Sequence, residues 1–435
     1  MTQKQNSNII AIVTMMFLYA MISFVTNLAA PIGTIWKGAF ADSANANTLG
    51  MLGNAMNFLA YLFMGIPAGK MLTKIGYKKS ALVGIALGFA GVFIQYLSGK
   101  FGGDAKVAGF VVYLLGAFIA GFSVCILNTV VNPMLNLIGG GGNKGNQLNL
   151  IGGTLNSLSG TLTPLFVGAL IGTVTAQTTM ADVNLVLYIA MAVFVIAFAI
   201  LYFVPISDPQ VTGENVVFEK SAWSFRHFVL GAVAVFVYVG VEVGLPGTML
   251  YYLNDTTESG AGLVGNVAAV AGSVAATYWF LMLVGRFIGG FIAGKVSSKT
   301  LMTCTTSVAL ILIAFAMFLG NSQTWSMPVF TGDAFEVVRV PAAAVLVVLC
   351  GLCTSVMWAS IFNLATEGLG KYTAAASGIF MMMVVGGGIL PLVQSFVADH
   401  TSYMISYLVP LCGVAYMLFY ALVGSKNVNK DIKID

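Results

Sequence analysis

Phe236-Val-Tyr-Val-Gly-Val-Glu242-Val-Gly-Leu-Pro246 lies inside an apolar run from Phe228 to Leu253. That run is long enough for a helix to cross a bilayer's hydrocarbon core, which takes about 20 residues. Glu242 sits near its middle, with no basic residue within several turns on the same segment. A carboxylate at that depth costs roughly a few kcal/mol, so it marks a place with work to do. Pro246 follows four residues later and cannot donate the helix bond to the Glu242 carbonyl. An ionisable side chain and a freed backbone carbonyl therefore coincide.

The whole chain repeats this character. Of its 435 residues 58% are hydrophobic and 8% charged, against about 25% charged in soluble domains. Mean hydropathy is +0.93. Apolar runs divide into twelve spans, roughly 9–30, 49–69, 80–98, 107–135, 148–174, 184–204, 227–253, 268–293, 301–319, 342–365, 375–398 and 404–424. The chain is expected to be an all-α integral membrane protein with twelve transmembrane helices. Leu28-Ala29-Ala30 loosely resembles a leader cleavage site, but the run before it exceeds the usual apolar core of about 7–15 residues, so it reads as a retained first helix.

Charge orients the spans. With the N-terminus in the cytoplasm, that side holds Lys4, Lys70, Lys74, Lys78, Lys79, Lys144, Lys220, Arg226, Lys295, Lys299, Lys371, Lys426, Lys430 and Lys433. The other side holds Lys37, Lys100, Lys106 and Arg339, and its loops lean acidic. An even number of spans puts both termini in the cytoplasm. Residues 205–226 read as a cytoplasmic linker between an N-terminal six-helix half, 1–204, and a C-terminal half, 227–435. The exterior segment 320–341 reads as irregular.

The halves repeat in the same direction. Gly65-Ile-Pro-Ala-Gly-Lys70 matches Gly290-Phe-Ile-Ala-Gly-Lys295, and Asn136-Leu137 with Lys144 matches Asn363-Leu364 with Lys371 at one offset, 227. Asn27 with Pro31 matches Glu242 with Pro246. Each proline alone is explained by a packing kink. Paired with a polar residue in both halves, they predict broken helices flanking a midplane site.

Other polar features join that site. Span 4 carries Cys125, Asn128, Asn132 and Asn136 at helical spacing, and span 5 carries Asn149, Gly152, Asn156, Gly160 and Thr163. Such amides can glue helices together or bind a hydroxyl-rich solute, since they both donate and accept. Trp358, well inside span 10, is a candidate stacking platform. The five cysteines all lie in apolar runs, and Cys350-x-x-Cys353 reads as packing rather than redox chemistry. Gly139–Gly142 with Lys144 lacks a P-loop ending, and His227 and His400 are too far apart to suggest a metal site. There is no basic tract for nucleic acid, no enzyme constellation, no cofactor motif and no metal cluster.

Gly69-Lys-Met-Leu-Thr-Lys-Ile-Gly-Tyr-Lys-Lys79 resembles the loop after span 2 of the major facilitator superfamily, typically GxxxDxxGRR, with Thr73 or Lys74 where the acid belongs. Gly69, Lys70, Lys74, Gly76 and Lys78 are expected to gate, the glycines by tight turn and close helix approach. Arg286, near the cytoplasmic end of span 8, is expected to meet span-end carbonyls. Four further stretches resemble the fucose:proton symporter and glucose/galactose permease family: Phe17–Pro31, Asn128–Pro133 with Leu148–Ser157, Tyr238–Val243, and Ile361–Pro391. The resemblance implies two parallel six-helix halves in the major facilitator fold. It also implies a bacterial plasma (inner) membrane, cation-coupled monosaccharide uptake and a sufficient monomer.

The departures bear on coupling. Asn27 stands where the family has an aspartate and Asn128 where it has a glutamate. Gly153 aligns with a site glutamine, Asn156 retains the asparagine, and Trp358-Ala-Ser360 replaces Tyr-Pro-Thr. The expected solute contacts are Asn27, Asn128, Asn132, Asn156, Glu242 and Trp358. Glu242 is expected to couple flux to a proton or sodium ion, the latter held together with the carbonyl that Pro246 frees. An uncoupled uniporter, or a carrier of a non-sugar substrate, stays open because both family acids are missing.

Overall fold

A hydrocarbon layer cannot hydrogen-bond a peptide group, so apolar runs of this length must satisfy their backbone internally as helices. The structure, a computed structural model, describes residues 3–101, 105–138, 142–171, 178–204, 220–292, 296–369, 372–429 and 432. Among the described residues, twelve helices are long and apolar enough to cross a membrane: Ile9–Ala39, Ala46–Leu72, Lys74–Ser98, Lys106–Asn132, Ile151–Ile171, Met180–Phe203, Arg226–Asn254, Val267–Ile292, Ser298–Leu319, Ala342–Thr366, Gly378–His400 and Tyr403–Gly424. These are spans 1 to 12 below. Residues 205–219 of the expected linker, the glycines 139–141, and Lys295 and Lys371 of the repeat lie outside the described residues.

Three local expectations are overturned. Pro31 and Pro246 do not break their helices, which run unbroken over Gln3–Ala39 and Arg226–Asn254. A proline removes one helix bond, and a membrane helix braced by its neighbours carries through that loss. Among the described residues, interruptions fall instead at Ser355–Val356 in span 10, Val384–Val385 in span 11 and Tyr407 in span 12. At the second, Gly387 N and Gly388 N close three-residue bonds to Val384 O and Val385 O at 3.0 and 2.9 Å.

The Gly69–Lys79 loop is also helical on both sides of one residue. Gly76, at φ 82° and ψ 170°, is the turn between spans 2 and 3, and an L side chain rarely adopts that backbone. The segment after span 9 is a hairpin rather than irregular: Thr324–Phe330 pairs antiparallel with Phe335–Pro341. It alternates Met327, Val329 and Val340 inward with Ser326, Val337 and Arg339 outward, the period of a half-buried strand. Phe330 N donates to Ser273 Oγ of span 8 at 2.8 Å, which anchors it.

Two contacts place spans 5 and 8 side by side. A Cβ on Gly168 would lie 2.6 Å from Ala268 O, and one on Gly272 would lie 2.4 Å from Pro164 O. Small residues at such crossings let helix backbones approach directly. At the bundle end opposite the termini, polar groups lock the first six spans to the last six. Lys37 Nζ of span 1 meets Asp255 Oδ2 at 3.2 Å, and Tyr403 OH donates to the same oxygen at 2.8 Å. Asp399, at the end of span 11, accepts from Asn47 N and Thr48 N at 2.9 and 2.7 Å. It thereby caps the positive end of span 2's helix.

Gly272→Ala is expected to destabilise the protein by about 1–3 kcal/mol through overpacking, read as a lower melting temperature in detergent. Burial raises the Asp255 carboxyl, but Lys37 and the bonds from Thr257 and Tyr403 outweigh it and hold it below its usual range. Its contribution is therefore complete above the ordinary carboxylate pKa of about 4 and is lost as pH falls through the lower folded value. The closure is expected to be insensitive to pH between about 5 and 8. Asp255→Asn is expected to speed maleimide labelling of a cysteine at buried Thr34 by about two- to fivefold, the scale of a partly exposed ion pair.

Candidate functional site

Tyr238 and Glu242 are one helical turn apart and so share a face of span 7. The Tyr238 hydroxyl donates to Glu242 Oε1 at 2.8 Å. Arg286, from span 8, donates to the same oxygen through Nη2 at 3.3 Å. Through Nη1 it also donates to Gly153 O at 3.1 Å and Ser157 Oγ at 2.8 Å, both on span 5. The two charged side chains are 19% and 14% exposed, sheltered enough that neither charge would be tolerated alone. Glu242 is thus met by a cation from a neighbouring helix, which its own segment does not supply.

Arg286 is expected near the cytoplasmic end of span 8 as a partner of span-end carbonyls. It lies close to that helix's end at Ile292 and bonds Gly153 O, near the start of span 5; its bonds to Ser157 Oγ and Glu242 Oε1 are additional. Trp358 joins the same group, its ring 6.0 Å from that of Tyr238 at 50°. The break at Ser355–Val356 starts a new helix, Met357–Thr366, that carries this indole. Behind Tyr238, Tyr278 OH bonds Thr354 Oγ1 at 3.0 Å.

The amides of the first six spans form a second group. Asn128 Nδ2 donates to Tyr61 OH at 2.7 Å, and Asn132 Nδ2 to Asn128 O at 2.8 Å. The Tyr19 hydroxyl donates to Asn132 Oδ1, and Asn156 Nδ2 donates to Tyr19 O at 3.1 Å. Asn156 neighbours Ser157, so the amide group and the Glu242 group meet through Arg286. Asn27 stands apart: its Nδ2 turns back to Ser23 O and Ser23 Oγ at 2.9 and 3.2 Å. Gly160 packs against Ser23, Asn27 and Trp279. The oxygens of Asn27, Asn128 and Asn156 take no hydrogen bond from a described residue.

The side chains mostly satisfy one another. Two small hollows lie elsewhere among the described residues, one lined by Val25, Asn57, Gln95 and Tyr113 and one by Thr34, Pro164, Asn254 and Gly272. A ligand at Glu242 must displace some of these bonds. Amides that donate and accept, one carboxylate, one guanidinium and a flat indole suit a small molecule with several hydroxyls and an apolar face.

Of the expected gating residues, Gly76 makes the turn and Lys78 Nζ donates to Tyr202 O and Val204 O at 3.0 and 2.7 Å, capping the end of span 6. Gly69 faces open space, not a close helix, because the chain passes it as exposed helix. Lys70 and Lys74 are exposed. Tyr19, Tyr61, Ser157 and Trp279 escaped the sequence reading as site residues. Tyr19-Ser23-Asn27 at four-residue spacing was the available signal for the first of them.

Two six-span groups meeting at a polar midplane define a membrane transporter. A profile of the Major Facilitator Superfamily matches residues 12–391, and the chain belongs to that superfamily. It is 30% identical to a glucose/galactose transporter of Brucella abortus over 98% of this chain and 97% of that one. It is 22% identical to the L-fucose-proton symporter of Escherichia coli, covering 80% and 78%. A crystal structure of the E. coli fucose:proton symporter superposes with a TM-score of 0.67 at 19% identity, covering 97% and 100%. That of a D-xylose-proton symporter gives 0.69 at 15%, covering 98% and 99%.

Tyr19→Phe removes the hydroxyl that satisfies Asn132 Oδ1. It is expected to cost about 1–3 kcal/mol, the penalty for a sheltered acceptor left unpaired, seen as earlier thermal unfolding of the purified protein.

Proposed function

We propose that this transporter takes up a monosaccharide of the glucose/galactose type by cation-coupled symport, through alternating access of its two six-span halves. The observation that carries the reading is the polar set around Glu242, held between the first six and last six spans. The name of the Brucella relative, which spans nearly the whole chain, supports the substrate class. The amide oxygens of Asn27, Asn128 and Asn156 accept from sugar hydroxyls, Asn132 and Glu242 complete the polar contacts, and Trp358 covers an apolar sugar face. The excess of Lys and Arg in the terminal-side loops supports a bacterial inner-membrane carrier with both termini cytoplasmic.

Glu242 is the coupling carboxylate in this reading. A sodium ion at Glu242 meets like-charge repulsion from the guanidinium 3.3 Å from Oε1; the same guanidinium favours the ionised carboxylate, so a proton that binds there weakens its hold on Arg286. A second reading, uncoupled uniport, draws on the same contact: Arg286 already neutralises Glu242, and Asn27 and Asn128 stand where relatives of the resembled family carry acids.

Uptake of labelled D-glucose, D-galactose and L-fucose into proteoliposomes, with imposed proton or sodium gradients, separates the two. Symport predicts accumulation under an inward proton gradient, and Glu242→Gln is expected to abolish it while counterflow exchange persists. Accumulation by the Gln variant sinks the coupling role. Equal equilibration with and without gradients in the native protein selects uniport.

A further inference from the structure

Arg286 has two sets of acceptors that belong to different halves of the bundle. Glu242 lies on span 7, beside its own span 8, whereas Gly153 O and Ser157 Oγ lie on span 5. Spans 5 and 8 must part at the termini-side end if that end is to open. Parting removes the span 5 acceptors. What remains for the guanidinium then depends on Glu242 alone.

With Glu242 ionised, the ion pair survives within the second half and the spans can separate. With Glu242 neutral, separation leaves an uncompensated cation at membrane depth, which is costly. We propose that Arg286 is the positioning residue through which the charge on Glu242 controls the approach of spans 5 and 8. A neutral Glu242 holds them together and an ionised one lets them part. This rests on the coupled-transport reading and supplies a step it needs: a protonated carrier without solute stays closed at that end, and the solute must supply the acceptors that Arg286 loses before the loaded carrier opens there.

The surroundings fit. The titratable groups placed around Glu242, among the described residues, are Tyr238 on its own span and Arg286 and Tyr278 on span 8. Tyr19 of span 1 lies within electrostatic reach of Arg286. Arg286 brings the single positive charge of this set. Gly153 leaves the approach to the guanidinium open: a Cβ there would stand 4.0 Å from Nη1. The lock at the opposite end, through Lys37 and Asp399, involves neither residue, so the two ends can respond separately.

The test needs no sugar. Spin labels at exposed Ile151 and Phe291, on the termini-side ends of spans 5 and 8, report their separation in a cysteine-free full-length protein in nanodiscs. Glu242→Gln is expected to shift the population ratio toward the short distance by about fivefold or more, the usual scale of site coupling. In an Arg286→Gln background the same substitution is expected to change nothing, and in Arg286→Lys, which keeps the charge, the response should return. Ser157→Ala, which keeps Arg286 and deletes one span 5 acceptor, is expected to shift the native protein toward the long distance. It decides the matter if Arg286→Gln does not fold. A Glu242→Gln shift that persists without Arg286, no shift at all, or no response to Ser157→Ala overturns the proposal. Failure to transport glucose or galactose would overturn the substrate reading and leave these distances unchanged.

Discussion

A bilayer offers no water to a charge, so Glu242 and Arg286 can exist at their depth only together. Their 3.3 Å contact is longer than the about 2.7–2.9 Å of a strong charge-assisted bond. The guanidinium is not committed to the carboxylate. It divides its donors between Glu242 and span 5. One side chain thereby ties a midplane carboxylate to the packing of two helices that belong to different halves of the bundle.

Much of the surrounding architecture holds that geometry in place. Gly168 and Gly272 let spans 5 and 8 touch backbone to backbone near one end, which brings Ser157 and Arg286 within reach of each other further along. Lys37, Asp255, Tyr403 and Asp399 close the end opposite the termini. The break in span 10 starts the short helix that lays Trp358 against Tyr238. Tyr19 takes Asn132 and Asn156 into one bonded group. The polar residues are spent on one another, and the site is a network that a solute must enter by exchange of partners.

Part of this was legible in the chain and part was not. The twelve spans follow from runs of apolar residues because lipid leaves the backbone no alternative to helix. Glu242 stood out for the same reason. The prolines misled, since a residue that removes one hydrogen bond does not by itself end a helix braced by its neighbours. The hairpin at 324–341 was missed because strand alternation over seven residues is faint beside polar loop composition. Arg286 was legible as a partner for a span-end carbonyl, which Gly153 O supplies. Its contact with Glu242 was not, since that depends on how spans 7 and 8 lie against each other.

By itself the sequence determined the class of structure, the number of membrane crossings, the repeat of one half in the other, and the presence of a carboxylate that needed a reason to be there. Those properties depend on hydropathy and local order along the chain. Tertiary structure alone decided which cation answers the carboxylate, which amides join it, and that the Asn27 amide nitrogen turns back to its own span. Partners such as Glu242 and Arg286, or Arg286 and Ser157, are far apart in the chain and are brought together only by the angles at which helices cross. Those angles come from summed packing over whole helix faces, which no short stretch of residues encodes.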